Sequence, residues 1–347
     1  MRAVVLSVLL CWAAVAASAT PEDRLSTVFQ SIEANRLDEA LQRVDALIRE
    51  YPNFRLAHLV RGDLLLARAR PLQTFGNVAK TVPGEKIDGL REEALARLRA
   101  QRHRPGDDRL PRYVLQLHAE QKHVLMVDSR RSRLYVFGND KGTPRLVADY
   151  YVTLGKNGIE KTREGDQKTP VGVYHVTANL PRRKLTDFYG AGAFPINYPN
   201  EWDRRQGRGG YGIWLHGVPS DVYSRPPRAS DGCIVLANPD LESVGRYVQV
   251  GLTPVIIADE VEWSDAAAVE AERASLAAAI ERWRTDWESR DTERYLTHYS
   301  ARFAAPGQDL AGWSEHKRTV NGAKRSEERR VGKECRTVCR SRWSPYH

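Results

Sequence analysis

Cysteine and methionine are nearly absent from this chain: four Cys and two Met stand among 347 residues. Three of the cysteines lie near the ends, Cys11 in an apolar N-terminal run and Cys335 and Cys339 in a basic C-terminal stretch. With the ends set aside, Cys233 is alone. A lone cysteine forms no internal disulfide and no Cys-rich zinc site, so it is either a buried bystander or a reactive thiol. Long apolar runs are equally scarce. Residues 3–15 form the one clear run, too short for a membrane span. An acidic excess is also missing, since the formal net charge is +9.

Both ends have a reading of their own. Arg2, the apolar run and the small residues Ala17, Ser18 and Ala19 together match an export signal with its cleavage site, so residues 1–19 are expected to be a signal peptide. Leu10 before Cys11 is too large for a lipoprotein site. The expected mature protein is therefore periplasmic or otherwise in the cell envelope, with no stable membrane insertion. Residues 325–347 show no apolar periodicity and no capping or turn logic. They resemble the translation of a sequencing adaptor and are expected to lie outside the fold, disordered and non-native. Removing this stretch (seven Lys/Arg against three Asp/Glu) and Arg2 lowers the net charge from +9 to +4. That leaves little case for a nucleic-acid partner and suits residence on an acidic wall polymer.

Between the ends the pattern changes twice. Residues 20–111 read as helical. Leu37, Ala40, Leu41, Val44, Leu47 and Ile48 recur at helical spacing, Pro52 closes that helix, and a second follows with Ala57, Val60, Leu64 and Ala67. The pair resembles one tetratricopeptide unit. A single unit cannot bury its own face, so it is expected to cap the next domain. Residues 112–259 read as short strands with Gly/Pro turns, at 123–127, 133–137, 146–154, 171–176, 211–216 and 253–257, a sandwich-like β domain. Helical pattern returns from Glu262, first Ala-rich and then aromatic, with Trp283, Trp287, Tyr295, Tyr299 and Phe303 read as core.

The chemistry concentrates in residues 216–238, HGVPSDVYSRPPRASDGCIVLAN. A thiol needs a nearby base to become a thiolate at neutral pH, and the base needs a third group to orient it. His216 ends an expected strand and Cys233 follows a Gly-containing turn. The loop between them is long enough to bring two strand ends together.

This stretch resembles the active-site signature of YkuD-type L,D-transpeptidases: His-Gly, a loop, then Ser-Asp-Gly-Cys-Ile. Residues 165–176, GDQKTPVGVYHV, are similar to that family's strand entry, and the segment leading into His216 resembles one branch of it. The aromatic C-terminal part, 260–324, resembles the opening helices of an NTF2-like domain that stops before its sheet. The implied fold is α+β, a mostly β, sandwich-like catalytic domain flanked by an N-terminal helical cap and a partial NTF2-like segment. The implied function is peptidoglycan L,D-transpeptidation, acting on stem peptides without a cofactor or metal. In that scheme Cys233 is the nucleophile, His216 its base, and the Gly217 carbonyl orients His216. The backbone N–H groups of Gly232 and Cys233 form the oxyanion site. Ser230 begins the turn and Asn238 braces the segment after it.

Two departures from the family pattern matter. Val235 stands where many members carry an arginine, and Asp231 where many carry histidine. The substrate carboxylate therefore needs another cation, with Arg225, Arg228 and Arg163 as candidates and Ser230 and Asp231 nearby. Rival readings are a metal site of His118, His123 and His175 with His216, and a glycosidase pair of Glu164 and Asp166, whose shared polar loop favours a turn role. Within the family, water as acceptor gives an L,D-carboxypeptidase, and an inactive pocket gives a wall-binding scaffold. The sequence leaves the acceptor open.

Overall fold

The structure is a computed structural model that describes residues 20–77, 84–106, 108–305 and 307–323. The expected signal peptide and the 325–347 stretch lie outside the described residues.

Four helices come first: α1 (Pro21–Glu33), α2 (Leu37–Glu50), α3 (Arg55–Ala67) and α4 (Gly84–Arg102). Thr20 caps α1 in a reciprocal box. Its hydroxyl accepts from Asp23 N–H, and the Asp23 carboxylate accepts from Thr20 N–H. The apolar stripe read from the sequence is the packed one. Ala40, Val44 and Leu47 of α2 meet Leu56, Ala57 and Val60 of α3 in one core, and α2 ends at Glu50, just before Pro52.

The central region holds thirteen strands: β1 (Arg109–Pro111), β2 (His123–Asp128), β3 (Arg133–Asp140), β4 (Thr143–Tyr151), β5 (Leu154–Gly155), β6 (Gly172–His175), β7 (Leu180–Pro181), β8 (Gly192–Pro195), β9 (Trp214–His216), β10 (Arg228–Ser230), β11 (Ile234–Val235), β12 (Pro254–Ala258) and β13 (Trp263–Asp265). Helices α5 (Glu201–Arg205) and α6 (Asn238–Gly245) lie among them. One sheet runs β4-β3-β2-β12-β6 and a second runs β11-β9-β8-β7. Leu125, Val136 and Val255 of the first share one core with Phe194, Leu215 and Ile234 of the second and with Leu241 of α6. Alternation sends Val124, Met126 and Phe137 to the opposite face, against Val114, Leu117 and Val261.

Three details differ from the sequence reading. Residues 211–213 are not strand. Gly210 and Gly212 hold φ of 98° and 73°, which a ladder does not accommodate, so only Trp214–His216 pairs. Residues 109–111 and 263–265, assigned to helical regions, form an antiparallel pair, Arg109 opposite Asp265. The C-terminal part comprises α7 (Ala266–Ser289), α8 (Thr292–Leu296) and α9 (Leu310–Ala323), but it also contains a small antiparallel hairpin, β14 (Ala304–Ala305) with β15 (Gln308–Asp309).

Candidate active site

His216 is the last residue of β9, an internal strand of its sheet. It sits opposite Ala193 of β8 and Val235 of β11, and Leu236 N–H donates to its carbonyl at 2.9 Å. The side chain is 1% exposed. Its Nδ1 lies 2.6 Å from the Gly217 carbonyl oxygen. A carbonyl only accepts, so Nδ1 carries the proton and Nε2 is left as the basic nitrogen. Burial drives the imidazole pKa down to about 4, opposed by the Gly217 carbonyl and reinforced by the positive charge of Arg225. At neutral pH the ring is uncharged.

The aromatic walls explain that burial. Phe188 and Tyr189 lie with ring centroids 5.7 and 5.2 Å from the imidazole, and Tyr189 packs 5.0 Å from Trp214. The sequence reading missed Phe188 and Tyr189, which lie well upstream of the histidine with no local signal.

Gly217 is held by its surroundings. Its N–H donates to Tyr189 O at 3.1 Å, and a Cβ there would collide with the Asn238 side chain and approach Ala191 N to 3.0 Å. Asn238 braces this histidine side rather than the segment after Cys233 that the sequence reading assigned to it: Oδ1 accepts from Ala191 and Val218 N–H at 2.9 and 3.2 Å, and Nδ2 donates to Val218 O at 2.9 Å.

Cys233 is a free thiol directly before β11. The parallel register pairs Ile234 with Leu215 and Val235 with His216. Carried back one residue, it sets Cys233 beside Trp214. The sulfur lies 3.4 Å from Gly212 O. Burial pushes the thiol pKa up, and the Trp214 backbone and the charges of Lys161 and Arg225 act against that. The resting pair is thus a neutral thiol with a neutral imidazole.

The turn before the thiol is built by Ser230 and Gly232. Ser230 Oγ donates to Cys233 O at 2.6 Å and accepts from Gly232 N–H at 3.2 Å. This revises the expected oxyanion pair, because the Gly232 N–H is engaged by Ser230 within the turn. Gly232 adopts φ of 120°, and a Cβ there would lie 2.6 Å from Lys168 O. The strand-entry motif therefore forms the floor under the turn before Cys233. Within it Thr169 is fully buried and accepts from Gly155 N–H at 2.9 Å.

The candidate cations separate. Arg225 is half-buried, with its guanidinium carbon 5.0 Å over the Phe188 ring. Arg228 is exposed and reaches over Gly158. Arg163 is exposed on the 160–168 loop. Asp231 bonds Lys156 Nζ and Gln167 Nε2, each at 3.0 Å. Lys161, overlooked in the sequence, is 97% buried (3% exposed) and donates to Asp166 at 2.7 Å and Arg163 O at 2.9 Å. Burial alone would raise the Asp166 pKa. Lys161 and the N–H groups of Thr162, Arg163 and Lys168 outweigh it and hold the carboxyl well below its usual range. Asp166 thus organises a turn, while Glu164 is exposed. His123 packs against Tyr247 at 4.9 Å, and His118 lies 3.8 Å from Glu120. Among the described residues no group of three His, Cys, Asp or Glu is placed to hold a metal ion.

The two-sheet α+β domain thus carries a free thiol and an oriented imidazole on neighbouring parallel strands, Cys233 just before the start of β11 and His216 at the end of β9. Residues 122–257 match YkuD, the L,D-transpeptidase catalytic domain, and residues 275–333 match the Cds6 C-terminal NTF2-like domain. The second match runs into the stretch the sequence reading set aside. Among solved structures the chain is similar to Bd1075 from Bdellovibrio bacteriovorus, with 33% identity and a TM-score of 0.54 over 62% of this chain and 77% of that one. It is also similar to the helical cell shape determining protein Pgp2 from Campylobacter jejuni, with 26% identity and a TM-score of 0.52 over 62% and 75%. No curated protein sequence matches. The chain belongs to the YkuD family of L,D-transpeptidase domains, joined to an NTF2-like C-terminal part.

Proposed function

We propose that the protein is a periplasmic, peptidoglycan-modifying cysteine L,D-transpeptidase, with Cys233 as nucleophile and His216 as base. The observation that carries this reading is the 2.6 Å bond from His216 Nδ1 to Gly217 O, on a strand in register with the one that follows Cys233. It leaves Nε2 as the proton acceptor for a neutral thiol.

The sulfur attacks the carbonyl carbon at the L-centre of the third stem residue as its proton passes to His216 Nε2. The Cys233 N–H is the proposed donor to the resulting oxyanion. Collapse breaks the amide bond, the imidazolium returns its proton to the departing D-alanine nitrogen, and a thioester remains. An acceptor amine then takes the acyl group. Among the described residues no helix is long and apolar enough to cross a membrane.

Trimming, with water as acceptor, is the second reading. It is supported by the NTF2-like C-terminal match and by the likeness to a protein described as determining helical cell shape. Incubating the full chain with disaccharide-tetrapeptide, with and without a second stem, tests both. Mass spectrometry should show loss of D-alanine. A cross-linked dimer marks transpeptidation, and tripeptide alone marks trimming. An unchanged tetrapeptide would contradict both.

A further inference from the structure

The loop between His216 and Cys233 is gripped from two sides. On the helical side, Tyr223 lies in the core of the N-terminal helices, with its ring 4.2 Å from Phe54 and 5.2 Å from Tyr51. Tyr223 N–H donates to Asn53 O at 3.3 Å, and Asn53 Nδ2 donates to Ser220 O at 3.1 Å. Ser224 Oγ donates to Glu93 of α4 at 2.6 Å. Pro226 packs on Gly89 of α4 so closely that a Cβ at 89 would lie 2.8 Å from the proline ring. Glu93 is itself fixed by Arg97 at 2.8 Å, and Arg97 stacks 4.0 Å over Tyr151 of the catalytic sheet. On the sheet side, Tyr151 Oη and Thr153 Oγ1 both donate to Arg225 O at 3.0 Å.

Arg225 thus stands between two anchored neighbours, Ser224 and Pro226, with its main chain held by the sheet. Its side chain lies over Phe188, whose ring packs on His216. Among the described residues no carboxylate lies within ion-pair distance of it. Solvent-facing arginines of this chain commonly have such a partner, for example Arg130 with Asp259 at 2.9 Å.

We propose that the N-terminal helical unit is a working part of the active site: through Glu93–Ser224 and Gly89–Pro226 it positions Arg225 to bind the terminal carboxylate of the donor stem beside Cys233. This rests on the Cys233 acyl-transfer reading and extends it. Arg225 supplies the cation that Val235 does not, and the helices rather than the catalytic sheet alone set its place.

The test compares two donors, a tetrapeptide stem with a free terminal carboxylate and the same stem as its carboxamide, using the full chain. A charge-assisted contact of this kind should give wild type a preference for the carboxylate of about ten- to a hundredfold in kcat/KM. Arg225→Ala should bring that preference close to one. Ser224→Ala and Gly89→Ala should shrink it mainly through KM for the carboxylate, leaving the carboxamide rate near wild type, and Ser224→Thr should restore it. Alanine favours a helix more than glycine does, so a loss of preference in Gly89→Ala is not helix unfolding. If Arg225→Ala keeps the wild-type preference, Arg225 is not the carboxylate ligand. If Ser224→Ala and Gly89→Ala keep it, or slow both donors equally, the helices do not position Arg225. Activity surviving in Cys233→Ala would instead sink the underlying acyl-transfer reading, whatever the preference.

Discussion

Gly232 rests on the carbonyl of Lys168, with room for a hydrogen but not for a methyl: a Cβ would approach that oxygen to 2.6 Å at a φ of 120°. Any L side chain there carries a left-handed backbone penalty of about 1–2 kcal/mol as well as the collision. Gly232→Ala should therefore lower the melting temperature and cut D-alanine release at least about tenfold, because the turn that aims Cys233 must move. A variant with normal rate would mean the turn does not set the thiol's position.

His216 governs a pH dependence whose sign follows from burial. Its pKa is lowered from 6.5 to about 4 in the folded protein. Between those values the unfolded chain binds the proton and the native one does not, so stability rises with pH across this window and is lost as pH falls towards 4. The melting temperature of His216→Gln should depend less on pH between 4 and 6.5 than that of wild type. Acylation by wild type should persist to well below pH 6.5. In His216→Ala it should be slow at neutral pH and recover in part at high pH, where thiolate forms unaided. A defect independent of pH would point away from a base.

Lys161 and Asp166 form an ion pair with side chains 3% and 8% exposed. Removing one partner leaves a buried charge, at a cost of about 3–5 kcal/mol, whereas replacing both by apolar residues is often near neutral. Lys161→Met should lower the melting temperature sharply and disturb the motif loop below Cys233. Lys161→Met with Asp166→Leu should lose less than the sum of the two single changes, since the shared pair is removed only once, yet stay below wild type because the Thr162, Arg163 and Lys168 N–H groups lose their acceptor. Thermal unfolding of the four forms measures the coupling, and purely additive losses would show that the pair acts independently.

The site was legible where its letters are local. His216, Gly217, Ser230 and Cys233 fall within one stretch that resembles the family's signature, and that resemblance is what implies their roles; the residues after Cys233 complete the ladder with β9. The helices of the first region were legible from their period, since Val44, Leu47, Ala57 and Val60 are buried as their spacing requires. Partnerships made at long sequence distance were not legible. No local signal marks Tyr223 for its place beside Phe54, and none marks Lys161 for its burial against Asp166. Residues 211–213 read as strand because Tyr211 and Ile213 favour one and run into Trp214. Gly210 before them and Gly212 between them decide otherwise, by backbone angles that the apolar pattern does not report.

Replacing Cys233 with alanine tests the central claim most directly. The thiol is small, so the variant should fold with nearly the same melting temperature while D-alanine release from the tetrapeptide falls by about a thousandfold or more, and a carbapenem should acylate wild type at Cys233 and leave the variant unmodified. Retention of more than about a tenth of the wild-type rate, a barrier change under about 1.4 kcal/mol, or an adduct at another residue, would contradict the assignment of Cys233 as the nucleophile.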